Sequence, residues 1–331
     1  MQYTTLGRTG VQVSRLCFGT MSFGGDADES MSAHMYHRCR EAGINFFDTA
    51  NVYSQGRSEE ILGTLIRGHR DQIVLASKVH GQMGTDRNAR GLSRRNILLS
   101  VEASLKRLGT DRLDVYFCHM FDPDVPMDET LRTMDDLVRQ GKVLYPGVSN
   151  WSAWQIAKGL GLAELLRISS IYVIQPMYNL VKRVAEIEIL PLALDAKLGV
   201  ISYSPLGGGL LTGKYSTTQR YSEGRLAKNK NYSVRYGDES YYKIAEDFTC
   251  YAKRIGVNPA TLAVAWVKAN PAITAPIIGA RNLEQLEASL AAADYEMSRE
   301  QWAEIAALTP PVPIATDRTE EAKGLKMFGQ K

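Results

Sequence analysis

Two patterns of apolar and polar residues alternate along this chain. Short runs of apolar and β-branched residues predict buried β-strands, and segments whose apolar residues recur every three or four positions predict amphipathic helices. From about residue 15 onward, one strand and one helix follow each other at a spacing of roughly forty residues. The eight predicted strands cover residues 15–18, 45–49, 73–78, 115–119, 145–149, 171–175, 199–203 and 275–278.

The segment 93–108 illustrates the helical pattern. Ser93 can cap the first turn and Gly109 can end the helix. The apolar positions between them fall on one face, at Ile97, Val101, Leu105 and Leu108. The same arrangement precedes Gly141, with apolar residues at Met127, Leu131, Met134, Leu137 and Val138.

Eight strand–helix units predict an α/β protein built as a closed (β/α)8 TIM barrel, in preference to an open doubly wound sheet. We expect a single domain over residues 1–331, with the barrel at about 15–308 and a polar C-terminal tail at 309–331. Residues 3–14 predict a hairpin that closes the barrel floor. Residues 207–240 form a long loop after the seventh strand, and loops of this length often act as lids.

Composition narrows the functional classes. The chain has 331 residues, 44% of them hydrophobic, and its formal net charge of +3 comes from 39 basic and 36 acidic residues mixed along the sequence. Such mixing predicts a small-molecule partner rather than nucleic acid or a membrane surface. The four cysteines, Cys17, Cys39, Cys118 and Cys250, are widely spaced and read as free thiols. With an N-terminus unlike a signal peptide, these features predict a cytoplasmic protein.

Four polar residues occur at or near the carboxyl ends of predicted strands: Asp48, Tyr53, Lys78 and His119. In a barrel these ends converge at one face, where active sites form. A phenol is a weak acid at neutral pH, but a nearby ammonium such as that of Lys78 lowers its pKa. Asp48 can keep Lys78 charged, and His119 can donate a hydrogen bond to a carbonyl oxygen that gains negative charge. The four residues therefore predict a proton donor, Tyr53, with three supporting groups.

Each of these residues also has a purely structural interpretation. A buried Asp–Lys pair is common in barrels, and a single histidine is more often structural than catalytic. A metal-dependent hydrolase would require clustered ligands at several strand ends. His34 and His37 lie in a predicted helix and His69 in a turn, which leaves too few histidines for such a cluster.

The chain resembles the aldo-keto reductase family over essentially its whole length. The matching stretches are LCFGTM at 16–21, NFFDTANVY at 45–53, ASK at 76–78, LDVYFCH at 113–119, GVSN at 147–150 and SYSPL at 202–206. The segment 122–124 (DPD) is similar to the bacterial and potassium-channel-β-subunit-like branches of the family. The resemblance implies a catalytic tetrad of Asp48, Tyr53, Lys78 and His119 and reduction of an aldehyde or ketone by NADPH.

The resemblance also implies a set of cofactor-binding positions. Polar side chains at strand ends suit the nicotinamide carboxamide, Tyr203 suits its ring, and small residues with a lysine suit the pyrophosphate. Arg281, near a helix start, suits a 2′-phosphate and favours NADPH over NADH. The implied positions are Gly19, Thr20, Met21, Asp48, Ser149, Asn150, Gln175, Tyr203, Ser204, Pro205, Leu206, Gly207, Lys214, Arg225, Gly279, Arg281 and Gln285.

The sequence departs from many relatives at two places. Ala288 and Ser289 stand where Glu-Asn would contact adenine, and Met120 and Phe121 follow the catalytic histidine in place of an arginine and a large aromatic residue. The first change weakens the expected adenine contacts, and the second makes one pocket wall less charged. An alternative function also stays open: an NADPH-binding sensor or regulatory subunit with slow turnover.

Overall fold

A computed structural model of the protein describes residues 1–316. Eight parallel strands close into a barrel, in the order β10-β3-β4-β5-β6-β7-β8-β9, and a separate antiparallel hairpin joins β1 to β2. The strands are β1 Tyr3–Thr5, β2 Gln12–Ser14, β3 Cys17–Gly19, β4 Phe46–Asp48, β5 Val74–Val79, β6 Leu113–Cys118, β7 Val143–Ser149, β8 Val173–Gln175, β9 Gly199–Ser202 and β10 Ala275–Ile278. The predicted (β/α)8 fold and its N-terminal hairpin are confirmed.

Helices surround the barrel and connect its strands. They are α1 Glu29–Glu41, α2 Arg57–Leu65, α3 Arg94–Leu108, α4 Met127–Arg139, α5 Ala153–Leu166, α6 Ile189–Asp195, α7 Arg225–Lys228, α8 Lys230–Arg235, α9 Glu239–Arg254, α10 Pro259–Ala269, α11 Leu283–Leu290 and α12 Arg299–Ala306. Within residues 1–316, none of these helices is long and apolar enough to cross a membrane. The tail predicted at 309–331 lies outside the described residues from position 317 onward.

The helix signals in the sequence correspond to the observed ends. Ser93 caps α3 by accepting a hydrogen bond from the backbone N–H of Asn96, and Gly109 ends the helix in the left-handed region at a φ of 63°. The apolar face of α4 packs inward through the buried residues Leu131, Met134 and Leu137. Capping and period therefore set both helices, as the sequence predicts.

The hairpin closes the amino-terminal end of the barrel. Leu6 and Val13 are fully buried and join the inward-facing side chains of the strands in one apolar cluster. Gly7 adopts a φ of 54°, and a Cβ at this position would lie 2.2 Å from the backbone nitrogen of Gly199. Only glycine allows the hairpin to approach β9 this closely. With the floor closed, the accessible end of the barrel is the one at the carboxyl ends of its strands.

The long segment after β9 is present, but it is not an unbroken loop. A 3-10 turn at Gly207–Thr212, α7 and α8 divide it before α9 begins at Glu239. The sequence here is rich in Gly, Ser, Lys and Tyr and shows no helical period, so these short helical pieces were not predicted. The segment crosses the carboxyl end of the barrel and contributes to the wall of the cleft there.

Candidate active site

A cleft of about 700 Å³ opens at the carboxyl ends of the barrel strands. This volume lies within the range of small-molecule and cofactor sites. Loops after six strands line it, together with the segment after β9 and the start of α11. Of the four residues predicted to carry the chemistry, Asp48, Tyr53 and His119 line the cleft, and the fully buried Lys78 lies beneath them.

Lys78 is the centre of this group. Its Nζ lies 2.6 Å from Asp48 Oδ2, 2.6 Å from the backbone oxygen of Thr49 and 3.3 Å from Tyr53 Oη. The Lys78 side chain is fully buried, and that of Asp48 is 3% exposed. The strand register explains the meeting, because Asp48 lies opposite Ala76 on β5 and Lys78 is the next residue on the same face.

The pKa of Tyr53 moves in the opposite direction from the sequence expectation. Burial raises it above the ordinary value for a phenol, and the neighbouring Lys78 lowers it only in part. Burial also acts to lower the pKa of Lys78, but Asp48 and Tyr53 oppose it, and the net direction is upward. Lys78 is therefore charged and Tyr53 protonated at neutral pH.

His119 faces Tyr53 edge-on, with ring centroids 6.1 Å apart. Burial, followed by the charges of Lys78 and His80, lowers the pKa of His119 to about 3. The imidazole is therefore neutral across the physiological range. A neutral histidine carries one ring N–H, so it can still donate a single hydrogen bond into the cleft.

A second network of polar groups joins the ends of β7, β8 and β9. Gln175 Nε2 donates to Asp48 Oδ1 at 2.9 Å, and the backbone oxygen of Gln175 accepts from Ser149 Oγ at 2.9 Å. Asn150 Nδ2 donates to the backbone oxygen of His119 at 2.9 Å, and Asn150 Oδ1 accepts from Tyr203 Oη at 2.7 Å. These bonds connect the predicted nicotinamide positions to one another and to Asp48.

Most of the predicted cofactor positions line the cleft, and two do not. Among the described cleft-lining residues, Thr20 and Gly207 are missing. Thr20 is fully buried, and its hydroxyl bonds instead with Ser58 and the backbone oxygen of Asp48. The predicted positions that do line the cleft are Gly19, Met21, Asp48, Ser149, Asn150, Gln175, Tyr203, Ser204, Pro205, Leu206, Lys214, Arg225, Gly279, Arg281 and Gln285.

The backbone after β9 suits a phosphate-bearing ligand. Gly208 and Gly209 adopt φ values of 69° and 105°, and no atom lies within 4 Å of the place where a Cβ on Gly209 would stand. A backbone without side chains lets a phosphate approach its N–H groups. Lys214 and Arg281 add positive charge to the same cleft. The residues present therefore fit a phosphorylated dinucleotide.

Two departures from the family pattern have a structural counterpart. Ala288 lines the cleft with only a methyl group, and Ser289 is buried with its hydroxyl directed to the backbone oxygen of Gln285. Met120 also lines the cleft and is 50% exposed, whereas Phe121 packs edge-on against Trp151 and Trp154. The wall beside His119 is therefore apolar.

Sequence reasoning missed several cleft residues, above all Tyr232 on α8. Its ring packs over the backbone of Gly208, where an added Cβ would lie 2.6 Å from Tyr232 Cδ1. Tyr232 is also near enough to raise the pKa of both Tyr53 and Tyr203. His80, two residues after Lys78, lines the cleft as well. No periodicity or motif in the sequence marks either residue.

This closed barrel, with polar groups gathered at the carboxyl ends of its strands, has the site architecture of (β/α)8 enzymes. Residues 15–310 match the model of the aldo/keto reductase family, and the chain belongs to that family. The resemblance inferred from the sequence motifs is thereby confirmed.

Relatives with different names match the chain over most of its length. An uncharacterized oxidoreductase of Bacillus subtilis, YrpG, is 40% identical over 91% of this chain and 93% of its own. A probable voltage-gated potassium channel subunit beta of Arabidopsis thaliana is 38% identical over 89% of this chain and 92% of its own. The aldo-keto reductase YhdN of Bacillus subtilis is 36% identical, with 87% of each chain covered.

Proposed function

We propose that this protein reduces an aldehyde or ketone to an alcohol, reversibly, with NADPH as hydride donor and Tyr53 as proton donor. The contact of Lys78 Nζ with Asp48 Oδ2 at 2.6 Å and Tyr53 Oη at 3.3 Å carries the proposal. Burying a charged lysine beside a protonated phenol costs folding free energy, and titratable groups perturbed in this way are concentrated at functional sites. Bound NADPH would supply the hydride to the carbonyl carbon.

Each residue of the group has one role in this proposal. Tyr53 gives its hydroxyl proton to the carbonyl oxygen, and Lys78 stabilises the phenolate that remains. Asp48 keeps Lys78 charged and oriented. The neutral His119 donates one hydrogen bond to the same carbonyl oxygen as negative charge develops on it. Met120, which is half exposed, would offer the substrate an apolar surface on that side.

Replacement of one atom tests the proton donor. Tyr53→Phe deletes the hydroxyl and leaves the ring, so carbonyl reduction should fall by at least two orders of magnitude. NADPH binding, measured by the quenching of protein fluorescence, should change little, because the lost hydroxyl is a proton donor rather than a cofactor contact. A variant that keeps a tenth of the wild-type kcat would rule out Tyr53 as the acid.

We further propose that Ser149, Asn150 and Gln175 hold the nicotinamide carboxamide, that Tyr203 contacts its ring, and that Arg281 selects NADPH by its 2′-phosphate. The exposed Lys214 and the glycines of the 3-10 turn would hold the pyrophosphate. Small carbonyl compounds are then the partners, with neither nucleic acid nor a membrane required, and the working compartment is the cytoplasm.

A second candidate function rests on the relatives named as channel subunits: an NADPH-binding regulatory subunit with slow turnover. Such a protein would keep the cofactor site and use hydride transfer only as a signal. A steady-state assay of NADPH oxidation with a panel of aldehydes, ketones, sugars and steroids separates the two functions. Turnover of several per second on any member favours the enzyme, whereas tight NADPH binding with a single slow turnover favours the regulatory subunit.

A further inference from the structure

A buried carboxylate lies in α2, the helix that begins four residues after the proposed proton donor. Glu59 in α2 is 0% exposed. Its Oε1 accepts a hydrogen bond from Ser77 Oγ at 2.5 Å, and its Oε2 accepts from Arg107 Nε at 2.7 Å. Ser77 directly precedes Lys78 on β5, and Arg107 lies in the last turn of α3. One carboxylate thus joins a helix, a barrel strand and a second helix.

The chain between Tyr53 and α2 takes a conformation that side chains disfavour. Ser54, Gln55 and Gly56 have φ values of 47°, 53° and 93°, three consecutive residues in the left-handed region. Residues held this way persist only where the surroundings fix them. Arg107 is one such neighbour, since its Cδ lies 2.8 Å from the place that a Cβ on Gly56 would take. The second is Phe23, whose backbone oxygen accepts from Ser54 Oγ at 2.9 Å.

The start of α2 is anchored to three barrel strands in succession. Ser58 Oγ bonds to the backbone oxygen and the hydroxyl of Thr20, each at 2.8 Å, and to the hydroxyl of Thr49 at 3.0 Å. These residues directly follow β3 and β4. Glu59 adds the bond to Ser77 on β5. Because Tyr53 and Lys78 lie on different elements, their 3.3 Å contact depends on how α2 sits against β5.

We propose that Glu59, held by Arg107, is a positioning residue that fixes the Tyr53 turn against β5 and so sets the coupling between Tyr53 and Lys78. The proposal rests on the proposed function. Glu59 touches neither Tyr53 nor Lys78 and acts through Ser77 on one side and through Arg107 and the turn on the other. When this link is loosened, Lys78 lies less close to Tyr53, and its positive charge lowers the pKa of Tyr53 less.

The test compares Glu59→Gln and Ser77→Ala with wild type. Ser77→Ala removes only the bond to β5 and keeps the ion pair with Arg107, so it serves if Glu59→Gln folds poorly. Carbonyl reduction requires protonated Tyr53, and its rate falls as the pH rises through the pKa of Tyr53. In both variants we expect this alkaline limb to move to higher pH, with kcat about ten-fold lower and the KM for NADPH changed less than two-fold.

Two further readouts separate positioning from general stability. The primary isotope effect with NADPH deuterated at the transferred position should rise, because proton and hydride transfer become slower than product release. Asp114→Asn is the matched control. Asp114 forms an ion pair with Arg70, with 2.7 Å between the nitrogen and the oxygen, and accepts a hydrogen bond from the backbone N–H of Leu75 on β5. The substitution removes the charge of this carboxylate. This control should lose stability without moving the alkaline limb.

The titration of Tyr53 is also followed without turnover, from the 13Cζ resonance that Tyr53→Phe removes. An unchanged Tyr53 titration, alkaline limb and isotope effect in Glu59→Gln and Ser77→Ala would overturn the positioning role, as would an equal shift in Asp114→Asn. A wild-type protein that reduces none of the carbonyl panel would contradict the proposed reaction, and the NMR titration would still decide the role of Glu59.

Discussion

The ends of β4 and β5 and the segment after β9 lie at the same mouth of the barrel, but they are held in different ways. Lys78 and Asp48 are buried and bonded on several sides. In the segment after β9, the pair Arg225–Asp26 spans 3.3 Å with side chains 29% and 53% exposed. Buried pairs are costly to break, whereas exposed pairs contribute little. The tetrad region is thus held by buried, multiply bonded charges, whereas the ion pair that joins the segment after β9 to the loop before α1 is exposed.

The largest expected effect is a difference in folding stability when one ion pair is broken in each of these two regions. Lys78→Met leaves Asp48 charged and buried without its partner, and should lower the free energy of unfolding by about 3–5 kcal/mol. Lys228→Met, whose partner Glu223 is exposed, should leave it unchanged within error. Urea unfolding of both variants measures the difference. Adding Asp48→Asn to Lys78→Met should restore part of the loss, and equal stability of the two single variants would contradict the comparison.

The next effect concerns the proposed 2′-phosphate contact at the rim of the cleft. Arg281→Ala should weaken NADPH binding by about 1.5–3 kcal/mol, or roughly ten- to a hundred-fold, because a charge-assisted bond is lost. NADH lacks the phosphate, so its Kd should stay within two-fold. Titration calorimetry with both cofactors gives the ratio, and parallel losses for NADPH and NADH would refute the assignment.

The dependence of folding stability on pH tests the burial of His119. The pKa of His119 is about 3 in the folded protein and near 6.5 in an unfolded chain, so unfolding binds a proton at intermediate pH. The stability that His119 contributes is full above pH 6.5 and is lost as the pH falls towards 3. At pH 5 the loss should reach about 2 kcal/mol relative to pH 7.5. In urea unfolding, His119→Asn should reduce this loss. The same pH dependence of stability in this variant and in wild type would disprove the role of His119.

Sequence patterns predicted which strand ends meet at the bottom of the cleft, because these ends belong to regular structure. Alternation, strand ends and helix caps are local signals, and the closure of eight parallel strands then brings distant residues such as Asp48 and His119 to one face. The direction of the Tyr53 pKa was wrong, because desolvation depends on three-dimensional burial that a sequence does not report. The left-handed turn after Tyr53 likewise has no composition signal beyond Gly56.

For the segment after β9, the sequence predicted the length and a lid role, but not the internal structure. Its short helices α7 and α8 lack an apolar period, and Tyr232 is placed by packing on Gly208 rather than by any motif. Thr20 shows the reverse case: the family pattern implies a cofactor position, and the structure places its buried hydroxyl against Ser58 and not in the cleft lining. Tertiary packing, which decides both cases, is invisible in a single sequence.

The smallest expected effect concerns how the segment after β9 is held. Asp26→Asn removes the ion pair that links Arg225 in α7 to the loop before α1. An exposed pair contributes about 0.2–1 kcal/mol, so cleavage within residues 213–238 by a low concentration of trypsin should accelerate by at most about five-fold. If the segment closes on the cofactor as a lid, saturating NADP+ should slow cleavage in wild type and reduce the difference between the two proteins.

Glu223→Gln is the matched control, because its ion pair with Lys228 lies within the segment and does not link it to the barrel. Opening of the whole segment should therefore respond to Asp26→Asn and not to Glu223→Gln. The same order is expected in stopped-flow release of NADP+, which should quicken only in Asp26→Asn if reopening of the segment limits turnover. Equal cleavage rates with and without NADP+ in wild type would mean that the segment is a static part of the surface. The contrast between the tetrad region and this segment would then rest on the stability of their ion pairs alone.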